Sequence, residues 1–181
     1  MTARQGIASA NGALRPVASL QLRDGATVTL SRIVAPLAAG HALAVASAIV
    51  GMDPWRRYGF PPERLTSFLS PSDETTPRYL MCSGEDVAGL MAVKRNWMFG
   101  SYLNILAVLP AYQGRGIGSA ALDWLEATAR ANGDRNQFVV TSAFNSGGLK
   151  LYTRHGFTPI AEMPGLIADG ETEILLRKRL A

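Results

Sequence analysis

Residues 103–118 read Leu-Asn-Ile-Leu-Ala-Val-Leu-Pro-Ala-Tyr-Gln-Gly-Arg-Gly-Ile-Gly, and they constrain the fold more than any other stretch. Ile105 to Leu109 has the composition of a buried strand. Pro110 cannot donate to a ladder, so the strand is expected to end there. Gly114, Gly116 and Gly118 then alternate with Arg115 and Ile117, and Ser119-Ala-Ala-Leu opens a helix. Glycines at positive φ let several N–H groups converge, and the helix adds its positive end to the same space. Strand, glycine turn and helix in this order predict an α/β chain with an anion site, most naturally for phosphate or pyrophosphate.

Three kinds of glycine-rich phosphate loop compete. A Walker A loop needs Lys followed by Ser or Thr after its last glycine, and neither is present. A dinucleotide fingerprint needs its third glycine one residue later, and an acidic residue ending the next strand. Phe138 to Phe144 contains none. The remaining pattern is Gln/Arg-x-x-Gly-x-Gly/Ala, filled by Gln113-Gly-Arg-Gly116-Ile-Gly118 after Leu106-Ala-Val108-x-Pro110. It resembles the acetyl-CoA motif of the GNAT superfamily of N-acetyltransferases. A second block, Asn145-Ser-Gly-Gly148-Leu-Lys-Leu-Tyr152-Thr-Arg-His-Gly156-Phe157, is similar to that family's Asn-x-x-Ala-x-x-Leu-Tyr-x-x-x-Gly-Phe.

The resemblance implies a GNAT fold: a mixed central sheet of six to seven strands, helices on both faces, and a cofactor cleft between two parallel central strands. It implies acetyl-CoA as acyl donor, held by Leu106, Ala107, Val108, Gln113, Gly114, Arg115, Gly116, Ile117, Gly118, Ser119 and Asn145. The pantetheine arm would lie along Leu106 to Val108, with the Val108 N–H donating to the thioester oxygen. Asn145 could equally cap the helix that follows it. Tyr152 is the candidate general acid, since a phenol with pKa near 10 roughly matches a leaving thiolate.

The 181 residues suffice for one domain, expected over 21–181 behind a flexible tail of 1–20 that carries Gly, Ser, Ala and Asn without periodicity. With one cysteine and two histidines, no internal disulfide and no His/Cys metal site are expected. A net charge of +4 suits a polyanionic ligand but is too small and scattered for nucleic acid. The apolar stretch from Ala42 to Met52 is too short to cross a bilayer, and no signal peptide is apparent, so a cytoplasmic protein is expected.

Strands are expected over Ala26–Val34, Arg78–Ser83, Val87–Lys94, Tyr102–Val108, Phe138–Phe144, Phe157–Glu162 and Glu173–Lys178. A helix over Ala35–Gly51 would bury Leu37, Val45, Ile49 and Met52, with His41 at the core edge. The helix after the glycine loop would bury Ile117, Ala121, Trp124, Leu125 and Thr128. The loop Met52-Asp-Pro-Trp-Arg-Arg-Tyr-Gly-Phe-Pro-Pro-Glu63 is rich in aromatics and arginines. In the family this segment walls the acceptor site, which makes Trp55 and Tyr58 candidate substrate contacts. Trp97 and Asn104 are two more, although Trp97 also reads as packing.

The general base is open. Asp53, Glu63, Glu162 and a water chain are the candidates. Ribosomal-protein alanine acetyltransferases, which share a Pro-Trp pair here, carry a Glu where this chain has Val140. The expected acceptor is a primary amine of a small molecule or short peptide, attacked directly. A protein N-terminus or lysine, and a non-catalytic acyl-CoA sensor, are the alternatives. A homodimer is compatible with the family, but no residue points to an interface.

Overall fold

The computed structural model describes residues 12–71 and 73–180. In chain order the elements are β1 (Leu14–Gln21), β2 (Thr27–Ile33), α1 (Ala39–Val50), α2 (Trp55–Tyr58), α3 (Pro62–Phe68), β3 (Arg78–Ser83), β4 (Asp86–Lys94), β5 (Gly100–Val108), α4 (Ile117–Ala131), β6 (Asn136–Ser142), α5 (Ser146–Arg154), β7 (Thr158–Pro164) and β8 (Thr172–Arg179). A 3-10 turn at Pro110–Tyr112 leads into the glycine loop. The strands form one sheet of eight in the order β1-β2-β3-β4-β5-β6-β8-β7.

One strand more is present than the sequence predicts, and it corrects the tail. Residues 14–20 are not a tail: β1 pairs antiparallel with β2, Leu14 opposite Ile33 and Gln21 opposite Thr27. Its side chains alternate poorly, it carries Pro16, and its register shifts between Pro16 and Ala18, all of which an edge strand with one free side tolerates. Residues 1–11 of the expected tail lie outside the described residues. Helix α1 begins four residues later than expected, at Ala39, because Ala38 keeps an extended ψ of 135°.

Each face of the sheet carries its own core. On one face Leu30, Met81, Met91, Leu103 and Leu176 meet Ile117, Ala121, Leu122 and Leu125 of α4 and Tyr152 of α5. On the other, Ile33, Leu80, Leu90 and Ala107 meet Ala42, Val45 and Ile49 of α1. Helices therefore cover both faces, because each strand alternates its apolar side chains between them. Helix α4 turns Leu122 and Ala129 inward, while Trp124 and Thr128 are only half-buried. Trp124 rests edge-on against Tyr79 at 5.2 Å and closes the margin of that core.

Candidate functional site

The site follows from one irregularity. Strands β5 and β6 are parallel, joined through α4, and their pairing runs only from Gly100 opposite Asn136 to Leu103 opposite Val139. On the other edge of β5 the register with β4 shifts: Ala92 faces Ile105 and Val93 faces Leu103, so Asn104 is an extra, unpaired and exposed residue. A bulge bends its strand and increases local twist. Here it comes where β5 leaves β6, and a gap opens between Leu106–Val108 and the end of β6.

Backbone alternation shows what lines that gap. Leu109 donates to the Ala88 carbonyl of β4 at 2.8 Å. A Cβ on Gly89 would stand 2.3 Å from the Ala107 carbonyl, so that group also lies against β4. The N–H and C=O of Leu106 and Val108 therefore turn the other way, toward β6, which is no longer in reach. The Val108 carbonyl is taken by Gln113 Nε2 at 2.9 Å. The Val108 N–H is left directed into the gap.

The glycine loop closes one end of the same cleft, a cavity of about 1380 Å³. Gly114 (φ 77°) and Gly116 (φ 85°) adopt left-handed conformations that side-chain-bearing residues rarely accept. A Cβ at either position would meet no protein atom within 4 Å and would stand in open space. Gly116 caps α4, and the first helical bond runs from the Ala120 N–H to its carbonyl at 3.0 Å. The N–H groups of Ile117, Gly118 and Ser119 precede that bond and have no helical acceptor. Gly118 serves packing, with Leu151 of α5 3.2 Å from where its Cβ would be. Converging donors, a helix N-terminus and a floor that only glycine leaves clear fit a diphosphate.

The structure distributes the sequence-predicted residues unevenly. Leu106, Val108, Gln113 to Ser119, Asn145 and Tyr152 all border the cleft, as does Trp55. Ala107 does not: its side chain packs in the α1-side core, and only its backbone is near. Ile117 is buried in the α4-side core, so its contribution is likewise the N–H. Gln113 braces the end of β5, and Arg115 pairs with Asp24 of the β1–β2 turn at 3.8 Å. The Asn145 side chain accepts from the Gly148 N–H at 3.0 Å and donates to Thr141 Oγ1 at 3.0 Å. It is the cap of α5. A Cβ on Gly148 would lie 2.5 Å from Asn145 Nδ2, which explains glycine there.

Tyr152 is 7% exposed and packs edge-on against Phe157 at 5.9 Å. Burial, with a smaller contribution from Tyr102, pushes its phenol well above 10. The expected match to a thiolate is therefore corrected: desolvation keeps the phenol firmly protonated, as a donor.

For Trp97 the structure favours the packing alternative over a substrate contact. It sits in the tight turn between β4 and β5, against Phe138 at 4.8 Å and Tyr102 at 5.1 Å. That turn lies at the N-terminal end of β5, and the glycine loop follows its C-terminal end, so Trp97 packs rather than lines the cleft. Tyr58 is displaced too. Its hydroxyl bonds Ser142 at 2.8 Å and donates to the Glu173 carboxylate, and its ring stacks on Phe60 and tilts toward Phe144. Burial first, and then Glu173, push the Tyr58 phenol up to about 12.

Glu173 and Ser142 were missed by sequence reasoning. They are paired in register across β6 and β8. Glu173 looked like the first residue of a closing hairpin strand, and only the fold shows it to be 2% exposed. Asp53 borders the cleft and pairs with Arg56 at 3.3 Å, while Glu63 and Glu162 do not border it.

Comparison with known proteins agrees with this geometry. The sequence profile of the Acetyltransferase (GNAT) family matches residues 44–157. An acetyltransferase of Agrobacterium fabrum is 33% identical over 85 residues, 47% of this chain and 58% of that protein. The match thus spans little more than half of the relative's length. A GNAT family acetyltransferase from Elizabethkingia anophelis, solved with acetyl-CoA bound, superposes with a TM-score of 0.64 at 18% identity, covering 84% of this chain and 98% of that one. The ribosomal-protein-S18-alanine N-acetyltransferase of Escherichia coli gives a TM-score of 0.68 at 16% identity, over 85% and 94% of the two chains. Those two likenesses establish the fold. The profile covers well over half the chain, and with it the parted strands and the glycine loop are accounted for: the chain belongs to the GNAT acetyltransferase family.

Proposed function

We propose that this protein is an acetyl-CoA-dependent N-acetyltransferase that moves an acetyl group to a primary amine of a small molecule or short peptide by direct attack. The observation that carries the reading is the parting of β5 from β6, which aims the Val108 N–H into a cleft ending at the glycine loop. Acetyl-CoA, when bound, supplies an acetyl group on a thioester, which an amine can attack. The N–H groups of Gly114 to Ser119 and the α4 N-terminus bind its pyrophosphate. The vacant edge of Leu106–Val108 accepts the pantetheine arm as a strand would be accepted. The Val108 N–H polarises the thioester carbonyl and stabilises negative charge developing on its oxygen. Tyr152 holds a proton at its hydroxyl and gives it to the departing sulfur. Leu106 and the buried ring of Tyr152 keep bulk water from that point.

The test is free-thiol release from acetyl-CoA against a panel of amines, amino acids, polyamines and N-terminal peptides. Release with one acceptor class, lost in Tyr152→Phe, supports the transferase reading. Acetyl-CoA binding without release across the panel would replace it with that of a non-catalytic acyl-CoA sensor.

A further inference from the structure

The turn between β4 and β5 holds a backbone conformation that its own packing does not explain. Trp97 and Gly100 exchange both backbone hydrogen bonds, at 2.9 and 3.0 Å, so Met98 and Phe99 alone make the reversal. Their φ values are 50° and 59°, the left-handed pair of a type I′ hairpin turn, and Asn96 just before them has a φ of 55°. Asparagine accepts that region, whereas methionine and phenylalanine rarely do. Asn-Gly is the pair such a turn favours. The two strained residues gain no burial in exchange: Met98 is 59% exposed and Phe99 85%, the most exposed large apolar side chain among the described residues. Strain that brings no packing points to a use outside the chain.

The tip is firmly held. Trp97 anchors it on Phe138 and Tyr102, the Phe99 carbonyl accepts from the Arg135 N–H at 2.9 Å, and Asn136 Nδ2 donates to the Met98 carbonyl at 3.4 Å. The same contacts bring basic residues to its base. Arg135 is joined to Phe99 directly. Arg179 pairs with Asn136 across β8 and β6, and Leu180 after it donates to the Arg135 carbonyl at 2.9 Å. Arg95 stands two residues before Trp97. All three arginines are exposed, and among the described residues none is in an ion pair. Asp134, half-buried beside Arg135, is one acid against three bases, so positive charge prevails. Two side chains on a hairpin tip fall far short of the roughly 800 Å² that a stable protein interface takes from each partner. Methionine offers no ring on which a base could stack. An apolar tip ringed by arginines does match a bilayer interface, where hydrocarbon begins just below anionic headgroups.

We propose that the Met98–Phe99 turn is a peripheral membrane anchor. The two side chains enter the apolar edge of an anionic phospholipid bilayer, while Arg95, Arg135 and Arg179 meet its headgroup phosphates. The anchor is independent of the acetyl-transfer reading. The turn fixes both side chains outward before contact, so little ordering entropy is lost on insertion. Two apolar side chains and three cations give reversible binding rather than permanent attachment. The tip precedes the N-terminal end of β5, and the glycine loop follows its C-terminal end. The nine residues of β5 hold the two about 30 Å apart, at roughly 3.3 Å per residue. Seated on a bilayer, the protein therefore keeps the mouth of its cleft clear of lipid.

The experiment is cosedimentation of the full chain with two kinds of vesicle, phosphatidylcholine alone and an equal mixture of phosphatidylcholine and phosphatidylglycerol. The partition coefficient should be about tenfold or more higher on the mixed vesicles, and should fall as salt is raised. The discriminating variant combines Met98→Asn with Phe99→Gly, the sequence the turn itself prefers. It should bind mixed vesicles about a hundredfold more weakly, yet melt at or above the wild-type temperature, because the backbone strain is relieved. Arg135→Gln with Arg179→Gln should weaken binding to mixed vesicles about tenfold. Binding that survives the turn variant overturns the proposal, as does equal partition onto both kinds of vesicle. A melting temperature that falls together with binding in the turn variant assigns Met98 and Phe99 to the fold and overturns it. Absence of wild-type binding to mixed vesicles overturns it in favour of a protein partner for the tip.

Discussion

Gly116 lets the cost of a backbone conformation be separated from the cost of a blocked ligand site. Its φ of 85° and ψ of 4° place it in the left-handed region, and a Cβ there would meet nothing within 4 Å. Gly116→Ala therefore adds strain without a clash, about 1–2 kcal/mol. For a chain of this size that lowers the melting temperature by roughly 2–8 °C. Gly116→Glu carries the same strain, so the two variants should melt within a few degrees of each other. They differ in the cleft. A carboxylate at the mouth of the nest, about 5 Å from a diphosphate, repels each unit charge by roughly 1–3 kcal/mol at effective dielectric constants of 20–80. It also competes for the N–H groups of Ile117 to Ser119. Two charges and one lost donor together exceed about 2.7 kcal/mol, or a hundredfold in Kd. The assay is isothermal titration of both variants with acetyl-CoA, with melting curves measured in parallel. Affinities of the Ala and Glu variants within threefold of each other would refute the assignment of this loop to the ligand's phosphates.

Other expectations can be checked directly. Tyr152→Phe should lower kcat by about 10²-fold or more, the usual contribution of a general acid, and leave acetyl-CoA affinity within twofold; an unchanged rate would mean another proton donor. Gly100→Ala would drive a Cβ to 1.9 Å from the Asn136 carbonyl, at the first of the four β5–β6 pairs. Overpacking against backbone and loss of ladder bonds should cost about 3 kcal/mol or more, read as a fall of at least 6 °C in melting temperature. Asn145→Ala removes the α5 cap and the partner of Thr141, and denaturant titration should show a loss of roughly 1–2 kcal/mol. His155 is shifted downward chiefly by burial, against the opposing pull of Asp123 at 3.3 Å. Since its folded pKa lies below its unfolded value of about 6.5, its stability contribution is complete above that pH and is lost as pH falls toward the folded value. His155→Gln should flatten the loss of melting temperature just below pH 6.5.

What the sequence disclosed was the part of the fold written in local terms. Pro110, the three loop glycines and the Asn145–Phe157 block each impose a backbone conformation on their own neighbourhood, so the cofactor strand, its turn and α5 were legible. Strand β1 was not, because an edge strand is defined by its partner β2 and needs no alternation of its own. Trp97 and Tyr58 had the right chemistry for a substrate wall, but their placement depends on which end of β5 a turn occupies and on what β8 offers to α2. Glu173 was least legible of all. A glutamate in a polar-looking strand reads as solvent-facing until another strand and a helix cover it. Strand β1 and the carboxylate were both invisible for that reason: each is defined by pairing across the chain.

The brevity of the β5–β6 joint has a consequence for how this protein comes together. Strands β1 to β5 each pair with a sequence neighbour and form one antiparallel meander, whose one long connection, between β2 and β3, carries α1 to α3. Strands β6, β8 and β7 form a second unit around their own hairpin. Within the sheet only four residue pairs join these two groups of strands. This seam is the one parallel pairing among the described strands, and it ends at Leu103 and Val139. Amide exchange along Gly100–Leu103 and Asn136–Val139 should open at lower free energy than within either meander. The proposed cleft lies on the line where the antiparallel meander meets the β6-β8-β7 unit, so the docking of those two units also sets the width of the cleft.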